Sequence, residues 1–255
     1  MLLRRLTEHV QSQNWTAIGL DLVIVVLGVF MGVQLGNWNE GRSERADEIN
    51  YLFRLHEDLS ADHEMYGVRL QVLNRQIEVA PDAQSMDFST EARAWVTIRA
   101  QYTISGIFPP EIHNATYTDM VNSGRLSLIL DEALRDQLVG HYAADAATPV
   151  LVSEPPFRQM VRGVIPHEIQ AYLTSPDCQV DFVTYRACPP PVAEDLRSIA
   201  ASLAADTELR RALNYNISHH RISREIILSL LSETEAMQLR VAEALRARGH
   251  EIPAG

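Results

Sequence analysis

Residues 17–38 read AIGLDLVIVVLGVFMGVQLGNW, and this stretch decides the fold class because it would be apolar on nearly every face of a helix. As a helix it would span about 33 Å, which is enough to cross a bilayer hydrocarbon core of about 30 Å. The alternative is a helix buried in the core of a soluble domain, but helices that are apolar on every face are rare in soluble domains of this size. We therefore predict a transmembrane helix over residues 16–39.

A cleaved signal peptide fits this stretch less well. The apolar run is longer than the apolar region of most signal peptides, and the bulky Asn37, Trp38 and Asn39 follow it in place of a small-residue cleavage site. We expect the segment to remain as an anchor, with residues 1–15 forming a cytoplasmic segment at the bilayer surface. Trp15 and Trp38 would then mark the two membrane interfaces.

The two cysteines orient the anchor, because arginines near the span are equally frequent on its two sides. Cys178 and Cys188 lie in one proline-bounded segment and could close a local loop, although two unrelated free thiols are the alternative. Disulfides persist outside the cytosol. We therefore predict a Cys178–Cys188 disulfide and place residues 40–255 in the periplasm, as the ectodomain of a single-pass protein of a bacterial inner membrane.

The sequence predicts that the helix continues beyond the span. Residues three and four apart would form one packed face, here called the predicted seam: Ile49, Leu52, His56, Leu59, His63, Tyr66, Leu70, Leu73 and Ile77. Four such heptads are typical of a helix packed lengthwise on others. A second long amphipathic helix is predicted from about Thr207 to Arg248, with shorter helices between prolines before it. The fold class is therefore all-α, a helical bundle that follows one transmembrane helix.

Two stretches of the chain carry a family resemblance, LTEHVQSQNWTAIGLDLVIVVLGVFMGVQLGNWNE at residues 6–40 and YTDMVNSGRLSLILDEALRDQLVGHY at residues 117–142. Together they resemble an uncharacterised family of proteobacterial single-span membrane proteins with an amino-terminal anchor and a helical ectodomain. The span with its Asn37, Trp38 and Asn39 is the most specific part. The resemblance implies this topology and assigns no catalytic residue.

Charge and motifs limit the function classes. The 255 residues carry a formal net charge of −11, and no basic run supplies the positive surface that nucleic acid requires. The sequence has no G-x-S-x-G, no Gly-rich phosphate loop and no C-x-x-C, and HEIQA at His167 lacks the second histidine of a zinc protease. We therefore expect no nucleic-acid partner, no enzymatic activity, no cofactor and no metal site.

Two histidines interrupt the predicted seam, and acidic residues flank them. His56 and His63 are seven residues apart, which is about 10 Å along a helix and too far for both to bind one ion directly. We expect them to form polar layers that set the helix register or respond to pH, with ligand binding as the alternative.

Three glycines share one face of the span with an aspartate. Asp21, Gly28, Gly32 and Gly36 lie close together around the helix, and a Gly-xxx-Gly-xxx-Gly face lets another helix approach closely. The spacing could also arise by chance, and Asp21 lies near enough to the end of the span to reach the headgroups. We predict transmembrane helix packing at these four residues.

These observations favour a membrane-anchored helical interaction protein or accessory subunit. It would associate, through the glycine face and the predicted seam, with itself or with a larger membrane protein complex. The alternative is a periplasmic sensor or ligand-binding helical module.

Overall fold

The computed structural model describes residues 15–109, 111–145, 154–178, 188–191 and 195–251. Every regular element over these residues is helical, so the all-α prediction is confirmed for this part of the chain. In chain order the elements are α1 Trp15–Glu78, α2 Ala80–Ala83, α3 Glu91–Ile104, α4 Ala115–Asn122, a 3-10 turn Arg125–Leu128, α5 Glu132–Asp145, α6 Pro156–Val164, α7 His167–Thr174, α8 Leu196–Ala205 and α9 Thr207–Ala247.

The chain divides into two compact units, Met1–Tyr51 and Leu52–Gly255. In the described part of the first unit, α1 carries the apolar stretch. The second unit contains the remainder of α1 and all the other helices. The predicted interfacial segment at residues 1–15 lies outside the described residues except for the backbone of Trp15, where α1 begins.

Within the second unit, α1 and α9 pack side by side in antiparallel directions. Tyr66 and Leu73 of α1 form a buried apolar cluster with Ile227 and Leu230 of α9. Three polar contacts fix the register: Gln238 donates to Ser60, Arg224 donates to Asn74, and Gln84, just after α2, donates to Asn214. From one contact to the next, the residue number in the amino-terminal segment rises by as much as the residue number in α9 falls, as expected for antiparallel packing.

The amino terminus of α9 is capped by Asp206, whose carboxylate accepts hydrogen bonds from the backbone N–H groups of Glu208 and Leu209. Such a cap satisfies backbone donors that have no partner inside the helix. The helix ends before Gly249, which has a φ of +80°. The observed bounds of α9 therefore agree with the helix predicted from about Thr207 to Arg248.

Helix α3 lies at the centre of the main core. It is buried on all sides from Thr97 to Ile104, and α2, α6, α7, α8 and the first half of α9 contribute to the same core cluster. A helix enclosed in this way leaves the carbonyl groups of its last turn without access to water. Partners for those carbonyls must therefore come from neighbouring helices.

Both long helices supply these partners. Gln76 of α1 donates its amide N–H to the carbonyl oxygens of Thr103 and Gly106, at 3.2 and 2.8 Å. From α9, the Asn216 amide and the His220 ring contact the carbonyl oxygen of Ile104, at 3.1 and 2.9 Å. These contacts explain why three polar side chains are buried at this level.

Two arginines of α6 bind the residue that follows α3. Arg158 donates to the carbonyl oxygen of Ser105, and Arg162 donates to the Ser105 hydroxyl and to the Tyr102 hydroxyl. Positive charge at the carboxyl end of a helix is stabilising because the last carbonyl groups carry partial negative charge. The arginines thus connect α6 to the central helix.

The buried face of α1 differs from the predicted seam at every second position. Four predicted residues are buried, at 52, 59, 66 and 73, but the intervening positions are shifted by one residue. We call the observed set the buried stripe: Leu52, Leu55, Leu59, Asp62, Tyr66, Arg69, Leu73 and Gln76. The hydrophobic pattern favoured the wrong neighbours because three members of the stripe are polar.

The shift of register can be tested at adjacent residues. Leu55 is fully buried, whereas its predicted neighbour His56 is only half-buried. We expect Leu55→Ala to lower the free energy of unfolding by about 2–5 kcal/mol, because it removes buried methyl groups and leaves a cavity. The matched variant His56→Ala should cost about 1 kcal/mol or less. Urea unfolding of the full chain in detergent measures both, and an equal loss in the two variants would contradict the observed stripe.

Candidate functional site

The apolar stretch of α1 packs against nothing in the described part of the chain. The large apolar side chains from Leu20 to Trp38 are each between 48% and 67% exposed. The most apolar window of α1 has a mean hydropathy of 1.6 and none of it is buried. By length and composition this helix can cross a membrane. A continuous apolar surface of this kind in water would be a strong aggregation liability.

The three glycines of the stretch have open space around them. A Cβ atom added at Gly28, Gly32 or Gly36 would meet nothing within 4 Å. No close packing within the described chain therefore requires a glycine at any of these positions. The fourth residue of the predicted packing face is Asp21, whose side chain lies outside the described residues.

The structure pairs Cys178 with Cys188 in a disulfide. Both cysteines are buried at the edge of the main core, and the residues between them lie outside the described part of the chain. The indole N–H of Trp95, on α3, donates to the Cys188 carbonyl oxygen at 3.0 Å. The Tyr172 hydroxyl, on α7, donates to the carbonyl oxygen of Pro189. The central helix and α7 therefore both bind the chain where the disulfide closes.

His56 and His63 lie beside the buried stripe and are half-buried. Burial lowers the pKa of His56, with Glu57 acting in the opposite direction and Arg246 in the same direction. The buried charged side chains of the stripe are instead Asp62 and Arg69. The polar layer predicted at His63 therefore lies one residue earlier, at Asp62, whereas the buried residue next to His56 is the apolar Leu55.

Asp62 binds a segment that is distant in sequence. Its Oδ1 accepts hydrogen bonds from the backbone N–H of His113 at 2.7 Å and from the ring Nδ1 of His113 at 2.9 Å. One turn earlier, Asp58 accepts from the backbone N–H of Thr116, in the first turn of α4. Two carboxylates on α1 thus hold the start of α4, where the preceding Asn114 makes no side-chain cap.

Burial has the largest effect on the pKa of Asp62. Desolvation raises the pKa of this carboxyl group, and the hydrogen bonds from His113 together with the nearby charges of His113 and His141 act in the opposite direction. Its Oδ2 and the Nε2 of His141 are both buried without a hydrogen-bond partner in the described structure. The group is therefore held in place by His113 but remains costly to ionise.

Arg69 is the other buried charge of the stripe. It is 4% exposed, and its Nε and Nη1 atoms have no hydrogen-bond partner. Burial lowers the pKa of Arg69 to about 10, so the guanidinium stays protonated at neutral pH. Burial, with a smaller contribution from Arg69, also lowers the pKa of His220 to about 4. His220 is therefore neutral, and its Nε2 carries the proton donated to Ile104.

The described residues contain no group of three histidine, cysteine, aspartate or glutamate side chains that could hold a metal ion. His113, His141 and Asp62 are thus a polar cluster without the ligand arrangement of a metal centre. Sequence reasoning missed this cluster because Asp62 is 51 residues from His113 and farther still from His141. The only local signal was the pair of aspartates, Asp58 and Asp62, one helical turn apart.

In comparisons with known proteins, no family model, no curated protein and no solved structure matches this chain. The resemblance to single-span proteobacterial proteins therefore stays an expectation. The functional argument depends on the chain's own residues.

The raised pKa of Asp62 predicts a pH-dependent stability. Because the folded-state pKa lies above the ordinary 3.8, the folded state binds this proton more tightly than the unfolded state. The stability contributed by Asp62 is thus fully present below about pH 3.8 and is lost as the pH rises through the folded-state pKa. Asp62→Asn should not show this loss, while its side-chain oxygen can still accept from His113.

Urea unfolding of the full chain between about pH 3 and pH 8 tests this expectation. The stability of Asp62→Asn relative to the wild type should increase as the pH rises and then reach a plateau. Glu57→Gln, which removes an exposed carboxylate from the same helix, controls for the loss of one negative charge. Parallel pH profiles for Asp62→Asn and the wild type would rule out the assigned pKa direction.

Proposed function

We propose that this chain is a membrane-anchored helical interaction protein, associating with a second membrane helix through the face formed by Gly28, Gly32 and Gly36. The observation that carries the proposal is the open space at all three glycines, on a stretch of α1 whose large apolar side chains are exposed. The partner is a second copy of the chain or a subunit of a larger membrane complex.

The glycines are unfavourable unless another helix uses them. Each glycine in a helix interior costs about 1 kcal/mol relative to alanine in water, because the unfolded backbone has more freedom to lose. Nothing in the described chain lies close enough to require their small size. In a bilayer, helices associate mainly by close backbone packing, which small residues permit. A partner helix on this face would therefore give the three glycines a physical role.

The anchor and the disulfide support a location for the chain. We place residues 16–39 across a bacterial inner membrane, with the remainder in the periplasm, because an oxidising compartment preserves the Cys178–Cys188 bridge. The exposed apolar residues from Leu20 to Trp38 cover the length that a bilayer requires. The heptad contacts of α1 within the second unit are already occupied by α9, which leaves the glycine face as the surface for association.

Substitution at the central glycine tests the association. Gly32→Ile adds a branched side chain in open space, so the chain itself should fold as before. The new side chain should block close approach of another helix and lower the associated fraction in mild detergent at least tenfold, equivalent to about 1.4 kcal/mol. Crosslinking and co-purification from native membranes measure the associated fraction.

Phe30→Ile is the matched control, because it places the same residue type about 160° from Gly32 around the helix. Phe30 is 59% exposed, so its replacement also leaves the chain's own packing intact. We expect normal association for this variant. Loss of association in both variants, or in neither, would refute the glycine face as the contact surface.

The compartment is tested by reporters fused after Gly255 in the full chain. Alkaline phosphatase, which requires an oxidising compartment, should be active, and a fluorescent protein that folds only in the cytosol should be dark. Cys178 and Cys188 should resist alkylation until a reductant is added. Cytosolic fluorescence with freely alkylated cysteines would reverse the proposed orientation.

A further inference from the structure

We infer that His220 is an acid-sensitive switch in the second unit, whose protonation releases the first half of α9 from the carboxyl end of α3. The two helices meet there at the carbonyl oxygen of Ile104, which is contacted by both Asn216 and His220. Gln76 of α1 binds the neighbouring carbonyl groups. Of these three polar side chains, only the histidine can change its charge. The inference concerns a conformational change and does not depend on the proposed helix association.

The surroundings of His220 suit a neutral ring. The residue is 4% exposed, and its Nε2 donates to the Ile104 carbonyl oxygen at 2.9 Å. Its other ring nitrogen, Nδ1, is buried without a hydrogen-bond partner in the described structure. Protonation would place a second N–H group at Nδ1 and a positive charge on the ring. A buried charge and a buried donor without an acceptor are both unfavourable, so the protonated ring gains by reaching water.

The charges around His220 are also unfavourable for its protonation. Arg69 of α1 is 4% exposed and close enough for its charge to act on His220, as does His219. Both arginines of α6 bind Ser105, the residue that follows Ile104. No carboxylate of the described chain is among the groups that act on His220. Protonation would therefore add a positive charge to a buried layer that already contains one and supplies no counter-ion.

The pKa of His220 agrees with this geometry and gives the direction of the response. Burial, joined by the charges of Arg69 and His219 and opposed by the hydrogen bond to Ile104, lowers the pKa from the ordinary 6.5 to about 4. An opened α9 would restore the ordinary pKa, so the opened state binds this proton more tightly than the closed state. The stability contributed by neutral His220 is thus fully present above about pH 6.5 and is lost as the pH falls towards about 4. Acidification should therefore loosen α9 from α3.

Hydrogen–deuterium exchange of the full chain in detergent, read by mass spectrometry at about pH 7.5 and about pH 5, tests the inference. Exposure times are scaled so that intrinsic amide exchange is equal at the two pH values. We expect protection of the end of α3 and of the first half of α9 to fall at least about tenfold at the lower pH, with a smaller loss in the other helices. No loss in these two segments, or an equal loss in all helices, would overturn the inference.

Two neighbouring histidines give matched variants. The amide N–H of the glutamine in His220→Gln can still donate to the Ile104 carbonyl oxygen but does not titrate, so this variant should keep its protection at about pH 5. His219→Gln changes the half-buried neighbour and should lose protection as the wild type does. An equal loss in His220→Gln and the wild type would overturn the assignment to His220.

Arg69→Met provides an independent measurement on another helix. It removes the buried positive charge that lowers the pKa of His220, so it should lose less protection than the wild type at about pH 5. A loss as large as that of the wild type would contradict the inference. Gly32→Ile should show the wild-type response, so failure of this switch and failure of the glycine contact are separately visible.

Discussion

The antiparallel contact between α1 and α9 is the constraint on which the rest of the helical unit depends. Its apolar centre joins Tyr66 and Leu73 to Ile227 and Leu230. Polar contacts on either side of this centre keep the two helices from sliding by a turn. In this register, side chains of both helices reach the carboxyl end of α3, whose carbonyl groups would otherwise be buried without donors.

This arrangement explains why the packed face of α1 is not purely apolar. Gln76 is buried because it donates to two carbonyl oxygens near the end of α3, and Asp62 because it binds His113. A purely hydrophobic stripe would pack equally well in several registers, whereas a polar residue that must meet one partner favours a single register. Arg69 has no such partner on two of its nitrogen atoms, and the structure offers no physical account of its burial.

Local signals in the sequence were sufficient for most of the helices. Prolines separate the predicted segments, and residues such as Thr90, Asp195 and Asp206 cap α3, α8 and α9 by accepting from backbone N–H groups of the first turn. The short helix α7 follows Pro166 and has no side-chain cap at its amino terminus, so this local signal is absent there. Half of the packed face of α1 was also predicted, because Leu52, Leu59, Tyr66 and Leu73 follow the hydrophobic pattern.

The contacts that could not be predicted join residues far apart in the chain. Nothing near Asp62 in the sequence points to His113, and nothing near Asn216 points to Ile104, because each pair meets only when the helices have packed. The glycine spacing, in contrast, is local and visible in the sequence. The structure adds that each of the three glycines has open space around it. Close packing inside the described chain is therefore not the reason for the glycine spacing.

The extent of the glycine face also limits the geometry of the proposed contact. From Gly28 to Gly36 the helix advances about 12 Å at 1.5 Å per residue, which is less than half of the hydrocarbon thickness. A long parallel contact would need small or interlocking residues over the whole span, but exposed bulky side chains such as Ile24 and Leu35 lie on the same side of the helix, within about 40° of Gly28. A short glycine face suits two helices that cross at one point, as in the right-handed pairs with crossing angles near −40°. The partner helix would then contact α1 over about two turns, and the remaining apolar surface would face lipid.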